Sequence, residues 1–180
     1  MTCIAGATGG GRVVIGGDSL GTGPYWQNLR SDRKVFKKGD FIMGFTSSYR
    51  MGQLLQYRLS TPHRHPNVPV FEFMVTDFVD AVRDCFRAGG YMSTENGVES
   101  GGEFLVGYSG RLFKVSSDFQ VGESLGGIDA CGSGDEVAMG VMFTIPEEDP
   151  RIKVQRALGA SARFSHGVAP PFFLETLEAK

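Results

Sequence analysis

The sequence predicts an α+β domain in which antiparallel sheets are covered by helices. Three observations point there. Apolar runs come in pairs joined by short glycine-bearing turns, at Gly9-Gly10-Gly11, Lys38-Gly39-Asp40 and Ser109-Gly110; paired runs of this kind are hairpins, not βαβ crossovers. Between the pairs the apolar spacing changes from strand-like to helical. The resulting order is strands, two helices, strands, two helices and one strand, which places helices against antiparallel sheets. With 180 residues and no linker, repeat or low-complexity tract, a single domain over 1–180 is expected.

Taken in order, residues 2–7 and 12–17 form the first hairpin, with β-branched Val13, Val14 and Ile15 in its second arm. Residues 18–32 are polar, carry Gly21, Gly23 and Pro24, and are expected as a loop. Strands at 34–37 and 41–45 follow. Met51, Leu54, Leu55 and Leu59 then take helical spacing, with Ser47 or Ser48 as N-cap. Three prolines within 60–70 end that helix. The next is expected over 71–87, burying Phe71, Met74, Val75, Phe78, Val82, Cys85 and Phe86. Gly89-Gly90 stops it, and the polar stretch 93–101 is expected as a mobile loop. A hairpin over 103–108 and 112–115 and a strand ending near Cys131 lead to Gly132-Ser133-Gly134. A helix bearing Val137, Met139, Val141 and Met142 comes next. Asp149-Pro150 opens the last helix, proline being well placed in a first turn, and 172–174 is a closing strand.

Composition excludes several classes. Eighteen basic against twenty acidic side chains give a net charge of −2, so no basic stripe argues for nucleic acid, and no apolar or polybasic segment argues for a membrane. The amino terminus lacks a basic segment followed by an apolar core. Cys3, Cys85 and Cys131 are odd in number and scattered, which fits free thiols and an expected cytoplasmic location. His63 and His65 sit in a proline-rich stretch without a third ligand at useful spacing, so no metal is expected. The Gly6–Gly11 run lacks the order of a phosphate loop. No cofactor is implied.

The first hairpin returns the carboxylate of Asp18 to the chain's own amino terminus. Thr2 lies directly behind Met1, and a threonine exposed by methionine removal carries nucleophile and base on one residue. Its α-amine, with a reference pKa of about 7.7–8.0, accepts a proton near neutrality without burial. While Met1 remains, that nitrogen is a peptide nitrogen and cannot serve. Taken singly the signals have bland readings: Asp18 as a strand-end turn residue, Lys34 as a solvated edge-strand lysine, Ser133 or Asp135 as a helix cap. Cys3 is expected as a buried strand residue, not a nucleophile.

Four segments in register carry a resemblance. They are Thr2 after Met1; Gly16-Gly17-Asp18-Ser19; Lys34-Val35; and Gly44-Phe45-Thr46-Ser47-Ser48, with Gly132-Ser133-Gly134 before a Met-rich helix further on. Together they resemble the N-terminal nucleophile hydrolases, specifically the proteasome β-subunit and bacterial proteasome-like protease group. The resemblance implies a four-layer αββα sandwich with two antiparallel sheets between helix pairs. It implies Thr2 as nucleophile, Lys34 lowering the proton affinity of its hydroxyl, Asp18 holding Lys34, and Ser133 helping to pass the proton. The backbone N–H of Ser48 would be an oxyanion donor, and Thr22 would bind an extended substrate. Peptide or protein substrates, a homo-oligomeric ring or stack and, by analogy, an ATP-dependent unfoldase partner follow. The sequence departs from the pattern twice: Ser48 stands where the family has glycine, and Arg163-Phe164-Ser165-His166-Gly167 has no carboxylate where the family places an aspartate beside its serine, leaving Ser165 or His166 as substitutes. A catalytically silent scaffolding subunit and a small-amide hydrolase are the alternatives on the same fold.

Overall fold

A computed structural model describes residues 1–179. The first hairpin forms as expected from β1 (Ile4–Gly9) and β2 (Arg12–Gly17). The expected loop at 18–32 instead contains a small hairpin, β3 (Leu20–Thr22) and β4 (Gln27–Leu29). Its second arm is exposed throughout, so it carries none of the apolar alternation that would reveal a strand. Next come β5 (Val35–Lys38) and β6 (Phe41–Phe45).

Helix α1 (Tyr49–Gln53) is capped by Ser48, whose Oγ accepts from the Arg50 N–H at 3.1 Å. It continues as a π-helical turn, Leu54–Arg58. Helices α2 (Val70–Phe73) and α3 (Val79–Ala88) are joined by a second π turn, Met74–Phe78, into one continuous helical segment. That turn corrects the expected buried face. Each π turn holds more residues than an α turn, so the apolar stripe shifts phase: Phe73, Met74, Phe78, Val79, Val82 and Phe86 are buried, while Phe71 and Val75 are exposed.

The stretch expected as a mobile loop is a hairpin, β7 (Ser93–Glu95) and β8 (Val98–Ser100). Asn96 and Gly97 both have positive φ at its tip, the backbone of a two-residue turn that matches strand twist. Glu99 ties it to α3 through Arg83 and Arg87. Strands β9 (Phe104–Tyr108) and β10 (Arg111–Val115) pair as expected. Strand β11 (Val121–Glu123) has no counterpart in the expectations; β12 (Ile128–Cys131) does. Helices α4 (Asp135–Thr144) and α5 (Pro150–Phe164) follow, the latter with Asp149 as N-cap and proline in its first turn. The closing strand β13 (Phe173–Glu178) is longer than expected, its side chains mostly half-buried.

Two all-antiparallel sheets result, one ordered β12-β1-β2-β13 and one β11-β10-β9-β6-β5. Three apolar clusters hold them. Phe36, Phe41, Phe45, Phe104 and Phe113 of the five-stranded sheet pack with the buried residues of α1–α3. Ala5, Ala7, Val14 and Ala130 of the other sheet pack with Ala138, Met142, Val154 and Leu158 of α4 and α5. Ile4, Val13, Ile15, Val35, Ile42, Leu105 and Leu112 join the two sheets to each other. At Gly44 an added Cβ would stand 2.6 Å from Ile4 and 2.8 Å from Ile15 side-chain carbons, so the sheets meet here only because no side chain intervenes. No helix among the described residues is long and apolar enough to cross a membrane.

Candidate active site

Register brings the site together at one end of both sheets. Ile4 pairs with Gly17 on one side and Cys131 on the other, and Val35 pairs with Gly44. The residues just outside those pairs therefore converge: Thr2 before β1, Asp18 after β2, Lys34 before β5, Thr46–Ser48 after β6 and Ser133 after β12.

At the centre is the Lys34 ammonium. It donates to Thr2 Oγ1, to Asp18 Oδ1 and to the Leu20 carbonyl, each at 2.8 Å. An ammonium has three protons, and each has an acceptor here. Asp18 is equally committed: Oδ1 also accepts the Cys3 N–H at 3.0 Å and Oδ2 accepts the Leu20 N–H at 2.9 Å. The solvated-lysine reading is thus corrected, since Lys34 is 2% and Asp18 1% exposed. Two charges removed from water are tolerated only with this degree of hydrogen bonding. Burial pushes the Lys34 pKa below its usual value, while Asp18 acts to raise it and the Arg30 guanidinium adds to the lowering.

Thr2 is buried apart from a sliver of its surface. Its peptide N–H donates to Ser133 Oγ at 3.2 Å, and its hydroxyl donates to the Met1 carbonyl at 2.6 Å. The Ser133 hydroxyl donates to the Thr2 carbonyl at 3.3 Å, and the Gly134 N–H reaches the same oxygen at 3.3 Å. That close passage needs Gly132: its φ is +98°, and a Cβ there would lie 2.4 Å from the Thr2 oxygen. Ser133 does not cap α4 by its side chain; Gly134 is the N-cap, and Asp135 Oδ1 accepts the first-turn Glu136 N–H at 2.8 Å.

Thr22, at the end of β3, accepts from the Met1 amino group at 3.1 Å. Thr2, Thr22, Lys34, Ser48 and Tyr49 line a hollow of about 60 Å³. The Ser48 N–H, expected to face it as a free donor, is instead bonded to the Thr46 carbonyl at 2.7 Å. Ser165 is the C-cap of α5, its N–H bonded to the Ser161 carbonyl. His166 borders a neighbouring hollow of about 280 Å³ with Met1, Thr22 and Trp26. Among the described residues neither is hydrogen-bonded to Ser133.

Sequence reasoning missed three contributors. Ser161, fully buried inside α5, donates to the Gly134 carbonyl at 2.8 Å and accepts from the Cys3 thiol at 3.4 Å, bracing the Ser133 turn from behind. Nothing distinguishes a serine within a helix as such a brace. Burial raises the Cys3 pKa to about 11, keeping it a thiol near neutrality. Tyr49 and Arg30 are the other two. The Arg30 guanidinium lies 3.9 Å from the centre of the Tyr49 ring and is bound to Asp32 at 2.8 and 2.6 Å. Burial raises the Tyr49 pKa to about 12.

The architecture matches known structures over its whole length. The BPH protein of Thiobacillus denitrificans superposes with a TM-score of 0.81 at 19% identity, covering 99% of this chain and 98% of that one. The same protein in complex with epoxomicin gives 0.79 at 18%, covering 99% of each. Eukaryotic HslV from Trypanosoma brucei gives 0.69 at 18%, covering 98% and 99%. The chain has the proteasome-like fold. No family model matches the sequence, and no curated protein matches it by sequence; the likeness resides in the backbone. Within the proteasome-like fold, Thr2 stands at the head of an inner strand, with Lys34 and Asp18 beneath it.

Proposed function

We propose that this protein is a threonine-type N-terminal nucleophile hydrolase that cleaves peptide amide bonds through Thr2 once Met1 is removed. One observation carries the reading: a buried ammonium, held by a buried carboxylate, donates to the hydroxyl of the residue next to the amino terminus. A positive charge at that distance stabilises the alkoxide developing on Oγ1. Removal of Met1 turns the Thr2 nitrogen into an amine while Ser133 Oγ remains its neighbour. The amine takes the hydroxyl proton as Oγ1 bonds to the substrate carbonyl carbon. The carbonyl π pair moves to oxygen, and its return expels the leaving amine, which takes up that proton. Water then cleaves the ester and restores Thr2.

The three apolar clusters support a four-layer αββα sandwich. The fold likeness supports a proteasome-like peptidase, acting on peptides or unfolded protein in a homo-oligomeric ring, with an ATP-driven unfoldase as an analogous partner. A scaffolding role is the alternative if Met1 is retained, because the Thr2 nitrogen then stays a peptide nitrogen.

The deciding experiment combines intact mass with epoxomicin, found in complex with the Thiobacillus protein. The wild-type protein is expected to lack Met1, to gain the mass of one epoxomicin and to cleave a peptide amide, and Thr2→Ala to do neither of the last two. Undiminished cleavage by Thr2→Ala refutes the proposal.

A further inference from the structure

Between β6 and α1 the chain makes a three-residue turn that is closed on itself. Ser47 has φ of +62°, and the Ser48 N–H donates back to the Thr46 carbonyl at 2.7 Å. An i to i+2 bond around a positive φ is the rare and strained form of the γ-turn. Asn96 and Ser109, also at positive φ, occupy two-residue hairpin tips where it is ordinary; Ser47 has no such excuse.

Both ends of the turn are fixed. The Thr46 N–H donates to the Glu103 carbonyl at 3.1 Å, and the Glu103 N–H donates to Ser47 Oγ at 3.1 Å. On the other side the Ser48 carbonyl accepts the Gly52 N–H at 3.1 Å, and its hydroxyl accepts the Arg50 N–H. What remains free to rotate is the pair of peptides flanking Ser47, Thr46–Ser47 and Ser47–Ser48, which together set its φ and ψ. Ser47 is exposed, and its Oγ bond to the Glu103 N–H is the side-chain contact that the rotation must carry along or break.

We propose that Ser47 is a positioning residue that switches the oxyanion donor: its turn is closed in the free protein and rotates on acylation to aim the Ser48 N–H into the cleft. The inference rests on the Thr2 peptidase reading above. Substrate oxygen competes with the Thr46 carbonyl for one proton, so the donor is supplied where negative charge appears, and rotation relieves the strain at Ser47.

Glycine adopts positive φ freely, so Ser47→Gly favours the closed turn and lowers kcat about fivefold with KM unchanged. A kcat for Ser47→Gly equal to or above wild type overturns the switch. The direct test is a pair of crystal structures, free and with a tripeptide aldehyde. In the adduct Thr2 Oγ1 bonds the aldehyde carbon, the π pair moves to oxygen and the hydroxyl proton passes to the Thr2 amine. The Ser48 nitrogen is then expected within hydrogen-bond distance of the hemiacetal oxygen, with Ser47 at negative φ. An adduct with the turn still closed, or a free structure with it already open, refutes the switch alone. No adduct on the wild-type protein refutes the peptidase reading and the switch with it.

Discussion

Lys34 and Asp18 form an ion pair from which water is excluded, their side chains 1% and 0% exposed and their charged atoms 2.8 Å apart. The other ion pairs among the described residues lie at or near the surface, where such pairs contribute little. Asp18→Asn leaves the ammonium without its counter-charge and is expected to cost about 3–5 kcal/mol of stability. Adding Lys34→Met should recover much of that loss, since no buried charge then remains. Urea denaturation of the three variants measures this; additive losses in the double variant would show that the pair is not coupled.

The pH dependence of Lys34 has opposite signs in stability and in rate. Burial places its folded pKa below the unfolded value, which is about 10.4. Between the two values the unfolded chain binds more protons, so this group makes stability rise with pH through that window. On the proposed mechanism acylation uses the ammonium, so its rate is expected to fall as pH climbs through the folded value. Epoxomicin labelling rates against pH should show an alkaline decline beginning below the usual lysine range, and Lys34→Met should lose it along with about 10²–10³ in rate.

Two glycine-to-alanine changes should behave in opposite ways. Gly132→Ala forces a Cβ against the Thr2 carbonyl at a positive φ; a displacement of Thr2 approaching 1 Å costs about 10²-fold in kcat. Gly140 lies exposed in α4, with nothing within 4 Å of an added Cβ. There alanine should add about 0.5–1 kcal/mol of stability and leave kcat unchanged. Thermal melts beside peptide-cleavage assays check both.

Tyr49 carries a hydroxyl that is buried and has no hydrogen-bond partner among the described residues. An unsatisfied buried polar atom costs about 1–3 kcal/mol, so Tyr49→Phe is expected to raise the melting temperature while keeping the Arg30 stack. A lower melting temperature would mean that the hydroxyl is satisfied by a water.

Much of the fold was legible because its main strands are long and their turns carry glycine. Val13, Val14 and Ile15 opposite Gly6–Thr8, or Phe104–Val106 beside Met43–Phe45, show apolar continuity that no loop would have. The hairpin at 20–29 was missed because Gln27, Asn28 and Leu29 face solvent together. The one at 93–100 carried a readable Asn-Gly turn between polar arms. The π turns were invisible for a different reason: they leave apolar content unchanged and shift only its phase, so Phe73 replaced Phe71 in the core. At the site, Thr2, Asp18, Lys34 and Ser133 were singled out by the family resemblance of the segments that hold them, and the structure brings the four together. Ser161 and Tyr49 were not, since their places depend on contacts between distant elements. The bond occupying the Ser48 N–H depends on the sign of one backbone angle, which a serine does not announce.

Strand β1 pairs on both sides over Ile4–Ala7, and those four side-chain positions are buried. Amides in such a strand exchange with solvent only when the whole molecule opens. Thr2 is joined to that strand through a single residue, so thermal loss of the site should coincide with global unfolding, without an earlier stage of local fraying. Deuterium uptake by Ile4–Ala7 and heat inactivation would then share one midpoint.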